Sequence, residues 1–362
     1  MNIIHLSSER TWRGGEQQIA YLVDELNMLN VNNYVVCKKG SAFEKYCIEK
    51  NLKFISIPFS NQFDILSSIY LKNISKKINA EIIHVHSSKS HSIAVWSYFI
   101  GNRTPLVLSR KVDFPISKNF LSKIKYSCRG IKKIICVSNA IKKITQKDLP
   151  NNDLFEVIYD GIDTLKYENA DRNYLRREYN ISEDKTIIAN TSALADHKDY
   201  PTYIRMINNL HDKIKAHYFI IGEGPEEENI KNLVKEYGLQ ELITFTGFRK
   251  DINKILPSID YFVITSKTEG LGSSILDAYS AQVPVIATNA GGIPEIVTHN
   301  ETAMLSDVYD DKSLSEHIID LVNNPEKKIR LVNNAKSYVA NFSKKIMAAK
   351  TLEVYRSVSS SK

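Results

Sequence analysis

The stretch TEGLGSSILD, residues 268–277, sets Glu269, Gly270, Leu271, Gly272, Ser273, Ser274 and Asp277 between two apolar runs, IDYFVITS and VPVIAT. The spacing predicts a helix that begins near Ser273. The free N–H groups of its first turn would point back toward Glu269 and form an anion-binding end. A phosphate there would lie beside two acids, Glu269 in the loop and Asp277 one turn into the helix. Two acids next to a phosphate are tolerable where they accept hydrogen bonds from neutral hydroxyls, which sugars supply. The pattern therefore points to a ligand with both phosphate and sugar, a nucleotide sugar. Each residue alone is also ordinary for a loop and a helix start.

Other residues fall at similar junctions. Gly14 and Gly15 follow the first apolar run and precede a helix-like segment, which leaves backbone N–H groups open to an anion. This is not the GxGxxG dinucleotide fingerprint. Lys198 follows KTIIANTS and reads either as a surface lysine or as a cation for phosphate. Gly222-Glu223-Gly224-Pro225 follows YFII, with Pro suited to a first helical turn. Gly247, Phe248 and Arg249 follow ITFT, where a base could lie on the backbone with Arg249 near the phosphates. No Asp-x-Asp pair is present to hold a divalent cation on a diphosphate, so no metal is expected. His84 and His86 face one side of a strand, but no third ligand is visible beside them, and packing or substrate contact is the simpler reading.

The positioning elements follow from hydrophobic pattern. NIIHLSS, NYVVC, KFISI, EIIHVH, PLVLS, KKIICVS and FEVIY read as strands, and Glu16–Asn30 as a helix. The pattern restarts with KTIIANTS, AHYFIIG, LITFTG, DYFVITS and VPVIAT. Such alternation means α/β, with two doubly wound parallel sheets flanked by helices. The 362 residues exceed one typical core. The division is expected at 1–164 for an N-terminal acceptor-side domain, 165–341 for a nucleotide-sugar domain, and 342–362 for a terminal helix. Ligands bind at the carboxyl ends of such strands, so a site in the cleft between two such domains is expected.

Charge is uneven. Residues 1–160 hold 23 Lys and Arg against 13 Asp and Glu, and residues 118–147 hold nine basic residues and no acid. That segment fits a solvated face or attraction to an anionic membrane or glycolipid. Nucleic acid is disfavoured, because the segment has one Phe, one Tyr and no recognition motif. Cys37, Cys47, Cys128 and Cys136 form no CxxC pair and read as reduced packing residues. With no signal-like N-terminus and no membrane-length apolar run, a cytoplasmic protein at the inner face of the cell membrane is expected.

Taken together, these motifs resemble the retaining glycosyltransferases of the GT-B type, family 4, also called glycosyl transferases group 1. The resemblance covers nearly the whole chain: Gly14-Gly15, VIYDGID, Lys198, GEGP, TGFRKDI, EGLGSSILDA and VPVIATNAGGIPEIV. The family's Glu-x7-Glu motif appears as Glu269-x7-Asp277. By resemblance, Glu269 holds the donor sugar and Asp277 the ribose. Lys198 and the N–H groups around Gly272, Ser273 and Ser274 neutralise the diphosphate, and Gly14-Gly15 close over it. Glu223, Phe248, Arg249, Gly270 and Leu271 complete the donor contacts. The chain departs from the pattern at Ala193, where many members have Arg, at Gln282, where Gly is common, and at Asp160, where Asn is usual. The N-terminal domain often carries a His near the reacting centre. Here SRKVDFP stands in that place, which assigns a catalytic role to Asp113 and substrate contacts to Arg110. The implied activity moves a sugar from a UDP- or GDP-sugar to a cell-surface glycan or lipid-linked precursor, with no cofactor. The alternatives are a nucleotide-sugar epimerase or hydrolase on the same fold, and a catalytically silent binding protein.

Overall fold

A computed structural model describes residues 1–116, 120–149, 151–168 and 170–360. The chain forms two compact units. The first is Met1–Gly161 together with the segment that starts at Lys344; the second is Ile162–Ser343.

In the first unit seven strands run parallel: β1 Asn2–Ser7, β2 Asn32–Lys38, β3 Phe54–Ile57, β4 Ile82–Val85, β5 Leu106–Arg110, β6 Ile131–Cys136 and β7 Phe155–Val157. Their order is β3-β2-β1-β4-β5-β6-β7. In the second unit β8 Thr186–Thr191, β9 Ala216–Ile221, β10 Ile243–Gly247, β11 Tyr261–Ile264, β12 Val285–Thr288 and β13 Met304–Ser306 follow the order β10-β9-β8-β11-β12-β13. Runs such as Ile3-Ile4 and Phe262-Val263 are fully buried, as helices on both faces of a parallel sheet require. The order reverses between β1 and β4 in one sheet and between β8 and β11 in the other. A crevice opens at each reversal because the two following connections leave to opposite faces.

The two-sheet α/β architecture agrees with the sequence pattern. The hydrophobic pattern misses β13, a three-residue edge strand too short to show a period. The helix expected over Glu16–Asn30 instead spans Gly14–Met28, so both glycines lie inside its first turn. The helix Lys344–Ser359 packs on Gly14–Met28. Leu22, Leu26, Ala348, Leu352 and Tyr355 share one apolar cluster there. All four cysteines are free and buried.

Candidate active site

The second unit brings Lys198 and Glu269 together. Lys198 lies on the connection after β8 and Glu269 on that after β11, the two strands that flank the sheet's reversal. Their side chains form an ion pair and are largely buried. Two threonines and a serine fix this contact. Thr265 Oγ1 donates to the carbonyls of Lys198 at 3.1 Å and Asp199 at 3.0 Å. Ser266 Oγ donates to Glu269 Oε1 at 3.1 Å, and Thr288 Oγ1 donates to the Ser266 carbonyl at 2.6 Å. Asp199, at φ 48°, turns the chain into the helix Tyr200–Leu210 and caps it through Thr202.

Glycines let the rim loops stack backbone on backbone. A Cβ at Gly291, where φ is +54°, would lie 2.1 Å from the Glu269 carbonyl oxygen, and one at Gly292 would lie 2.2 Å from that of Gly270. The Gly292 N–H donates to the Glu269 carbonyl at 2.9 Å. Beside them, a Cβ at Gly222 would meet the Ser192 carbonyl at 2.0 Å. The glycines of NAGGIP and GEGP thus shape the loops that carry Glu269 and Lys198.

The helix Ser273–Ser280 begins where the spacing placed it. Its N-cap is Gly272 at φ +85°, a residue with no side chain of its own to place over the first turn. Ser273 and Ser274 are half-buried there, while the Leu271 side chain is buried and offers a ligand only its main chain. Asp277 accepts a hydrogen bond from the Tyr167 hydroxyl at 2.8 Å. Loss of water raises its carboxyl above the usual range, against the opposing charge of Lys166. Nothing along the chain marks Tyr167 as its partner, because the two lie 110 residues apart.

Arg249 is already engaged. Its guanidinium pairs with Glu178 at 2.7 Å and Asp251 at 2.6 Å, and bonds Tyr179 and Tyr174. These partners hold its pKa above the ordinary value. Its charge is compensated twice, by Glu178 and by Asp251. Glu223 is exposed and Phe248 is half exposed, so both are free to meet a ligand.

In the first unit, Gly15, Arg110 and His86 line a cavity of about 410 Å³ at the carboxyl ends of β4 and β5. A Cβ on Gly14 or Gly15 would meet nothing within 4 Å, so no protein contact demands glycine there. Lys111 is paired with Asp160. Asp113 has a buried Oδ2 without a hydrogen-bond partner among the described residues. The third histidine that the sequence hid is His5. β1 and β4 are neighbours with His5 opposite His84, so a nitrogen of each of His5, His84 and His86 falls within 4.8 Å of the others. Parallel pairing across 79 residues creates this cluster, which no local spacing reveals. His84 also contacts the Tyr355 hydroxyl at 2.5 Å and Ser109 Oγ at 2.8 Å.

Comparison with known proteins agrees with this geometry. Residues 12–166 match the family profile described as Glycosyltransferase Family 4, and residues 171–338 that described as Glycosyl transferases group 1. The chain is 25% identical over 270 residues to an N-acetyl-alpha-D-glucosaminyl L-malate synthase of Bacillus anthracis, covering 73% of this chain and 71% of that one. It is 28% identical over 323 residues, 86% of each chain, to a glycosyltransferase of Methanocaldococcus jannaschii. The crystal structure of Anabaena HepE with UDP and glucose superimposes at a TM-score of 0.87, with 19% identity and coverage of 99% of this chain and 100% of that one. A glycosyltransferase of Rickettsia africae gives 0.86, with 20% identity and coverage of 99% and 98%. With both halves matched and the two parallel sheets in place, the chain belongs to the glycosyl transferases of group 1 and has the GT-B architecture.

Proposed function

We propose that this glycosyltransferase is a retaining enzyme that needs no metal and moves a sugar from a UDP- or GDP-sugar to a glycan or lipid-linked acceptor in the cytoplasm. The observation that carries the proposal is the Lys198–Glu269 pair, its glutamate on the loop that leads into the glycine-capped helix Ser273–Ser280. Breaking the anomeric C–O bond leaves negative charge on the diphosphate. Lys198 and the helix N-terminus stabilise that charge, and Glu269 accepts hydrogen bonds from the sugar hydroxyls. The acceptor attacks from the face of the departing diphosphate, which takes its proton. Asp277 holds the ribose, in exchange for its contact with Tyr167. The HepE complex with UDP-glucose and the names of relatives that transfer N-acetylglucosaminyl or mannosyl groups support a donor of this class.

The deciding experiment is transfer from a panel of UDP- and GDP-sugars in EDTA. Turnover should persist and should depend on an added acceptor. A strict Mn²⁺ or Mg²⁺ requirement would sink the leaving-group mechanism. Equal donor consumption without an acceptor would favour hydrolysis or epimerisation.

We also propose that the first unit meets an anionic membrane surface. Phe114, Phe120 and Leu121 are 61%, 75% and 44% exposed, next to exposed Lys123; Lys132 and Lys143 are exposed as well. Not every lysine of the basic stretch serves this face. Lys125 turns inward to Ser88, and Lys133 pairs with Glu156 at 2.9 Å. Residues 118 and 119 of the stretch lie outside the described residues. No described helix is long and apolar enough to cross a membrane. Sedimentation with anionic vesicles should fall as salt rises from about 0.1 M to 1 M, over which the Debye length shrinks from about 10 Å to 3 Å. Equal binding to neutral vesicles would overturn the surface assignment.

A further inference from the structure

Three polar atoms without partners belong to residues that wall one cavity of the first unit. It measures about 410 Å³, and its walls include Arg13, His86, Ser87, His91, Arg110 and Tyr126. His91 is buried, and among the described residues its Nε2 has no hydrogen-bond partner. Arg110 Nε is likewise buried and has no partner among the described residues. The other two guanidinium nitrogens donate to the Tyr126 hydroxyl at 3.2 Å and to the Phe114 carbonyl. Among the described residues no carboxylate pairs with Arg110.

The third atom emerges from following the protons. Asn33 Nδ2 lies 3.0 Å from the Val31 carbonyl and 2.8 Å from Asn27 Oδ1. A backbone carbonyl only accepts, so this amide cannot be flipped, and Asn33 Oδ1 must face His5 Nε2, 3.0 Å away. His5 Nε2 therefore carries a hydrogen. Burial lowers the His5 pKa to about 4, so the ring is neutral and its Nδ1 is bare. That Nδ1 lies 3.2 Å from His86 Nε2, which must donate to it. Burial also keeps His86 neutral. Its remaining nitrogen, Nδ1, is then a lone pair with no partner among the described residues.

The charges around the cavity are unbalanced in the same direction. Lys125 bonds to Ser88, and burial, with the charge of Arg110 adding, lowers its pKa to about 8. Lys111 is neutralised by Asp160. Of the two lining acids, Glu9 is exposed at the rim. Glu16 accepts the Arg13 N–H at 3.2 Å and the Ser7 hydroxyl at 3.3 Å, and burial raises its pKa. Water would satisfy single hydrogen bonds but would bring no opposite charge to the half-buried Arg110.

We propose that this cavity receives the part of the acceptor that carries a hydroxyl beside a negative charge, a carboxylate or a phosphate. Arg110 pairs with the charge, and His86 Nδ1 accepts the hydrogen of the hydroxyl. That the ligand is the acceptor rests on the glycosyltransferase reading; the ligand chemistry rests on the atoms of this unit alone. A half-buried guanidinium whose Nε is shut off from solvent and an obligate lone pair select together. An uncharged sugar leaves the first unbalanced, and a plain anion leaves the second unpaired.

Titration calorimetry on the full chain saturated with UDP tests this with glycerol 3-phosphate, D-glycerate, methyl phosphate and glycerol. Vesicles of phosphatidylglycerol or phosphatidylcholine supply the lipid-borne arm. The two hydroxylated anions should bind at least about tenfold tighter than glycerol. Arg110→Met should erase that difference by about 10–100-fold, as expected for a lost charge-assisted bond. Arg110→Gln, which keeps donors toward Tyr126 and Phe114, should do the same if the methionine variant fails to fold, and Arg110→Lys should restore part of it. His86→Phe should bring glycerol 3-phosphate down to the level of methyl phosphate. Binding by the free probes identifies a small-molecule acceptor. Binding only by phosphatidylglycerol, lost in Arg110→Gln, identifies a lipid headgroup. Glycerol binding as well as the anions, or indifference to Arg110 substitution, would overturn the proposal. So would stoichiometric Zn²⁺ uptake lost in His86→Phe, because a metal there would consume the lone pair. Failure of UDP itself to bind would count against the glycosyltransferase reading and leave the cavity result standing.

Discussion

Lys198→Ala should lower kcat by about 30–1000-fold, the loss of roughly 2–4 kcal/mol expected when one preorganised group facing a departing oxyanion is removed. KM for the donor should change less, because the charge that Lys198 meets grows as the bond breaks. The ion pair with Glu269 makes the expectation sharper. Each residue alone leaves a largely buried opposite charge without its partner. Glu269→Gln should therefore also fall mainly in kcat, and the double variant should lose less than the sum of the two. Asp277→Asn should behave differently. Its carboxyl meets Tyr167 and is assigned to the ribose, so the variant should raise KM for the donor and weaken free nucleoside diphosphate while kcat stays within a few-fold. Single-turnover kinetics and calorimetry with the nucleoside diphosphate separate these outcomes. Unchanged kcat in Lys198→Ala would make the lysine a mere partner of Glu269. Loss of diphosphate binding in Glu269→Gln with retention in Asp277→Asn would reverse the assignment of sugar and ribose.

Gly291→Ala should abolish measurable transfer without touching any group that meets substrate. The new methyl would lie 2.1 Å from the Glu269 carbonyl oxygen and 2.8 Å from its nitrogen, and both are backbone atoms that cannot swing aside. The residue also sits at φ +54°, which costs a non-glycine residue roughly 1–2 kcal/mol. Overpacking adds about 1–3 kcal/mol and must displace the loop that carries Glu269. Gly238→Ala is the control. Its φ of +69° imposes similar strain, yet its Cβ would meet nothing within 4 Å. The control should lose stability and keep turnover. A Gly291→Ala variant with normal kcat and a small drop in Tm would show that the loop accommodates the methyl group and that the stacked glycines do not set the position of Glu269.

The tyrosine at Asp277 and the clamp on Arg249 show where reading along the chain stops. TEGLGSSILD declares a helix start, a glycine ahead of it and two acids because glycine, serine and carboxylate act on the nearest turn of backbone. ITFTGFRKDI shows Arg249 at a strand end with equal clarity, but not that Glu178, 71 residues earlier, takes its charge. Asp251, two residues on, was in plain view as a second partner. Local spacing fixes where a side chain starts; the elements packed beside it fix which charge it meets.

The residues by themselves determined two alternating α/β halves, because parallel strands buried on both faces leave unbroken runs of Ile, Val and Phe, and helices leave a 3.6-residue stripe. They also determined the glycine-marked junctions at which Lys198 and Glu269 stand. Tertiary structure alone decided that these two meet, since they follow β8 and β11 and only the strand order makes those neighbours. It alone decided that His5 stands opposite His84, through the parallel register of β1 and β4, and that Asn33 dictates which nitrogen of His86 stays bare. Sequence specifies what acts over a few residues of backbone. Partners, charges and protonation are set by distances of a few ångströms between segments that the chain itself keeps tens to hundreds of residues apart.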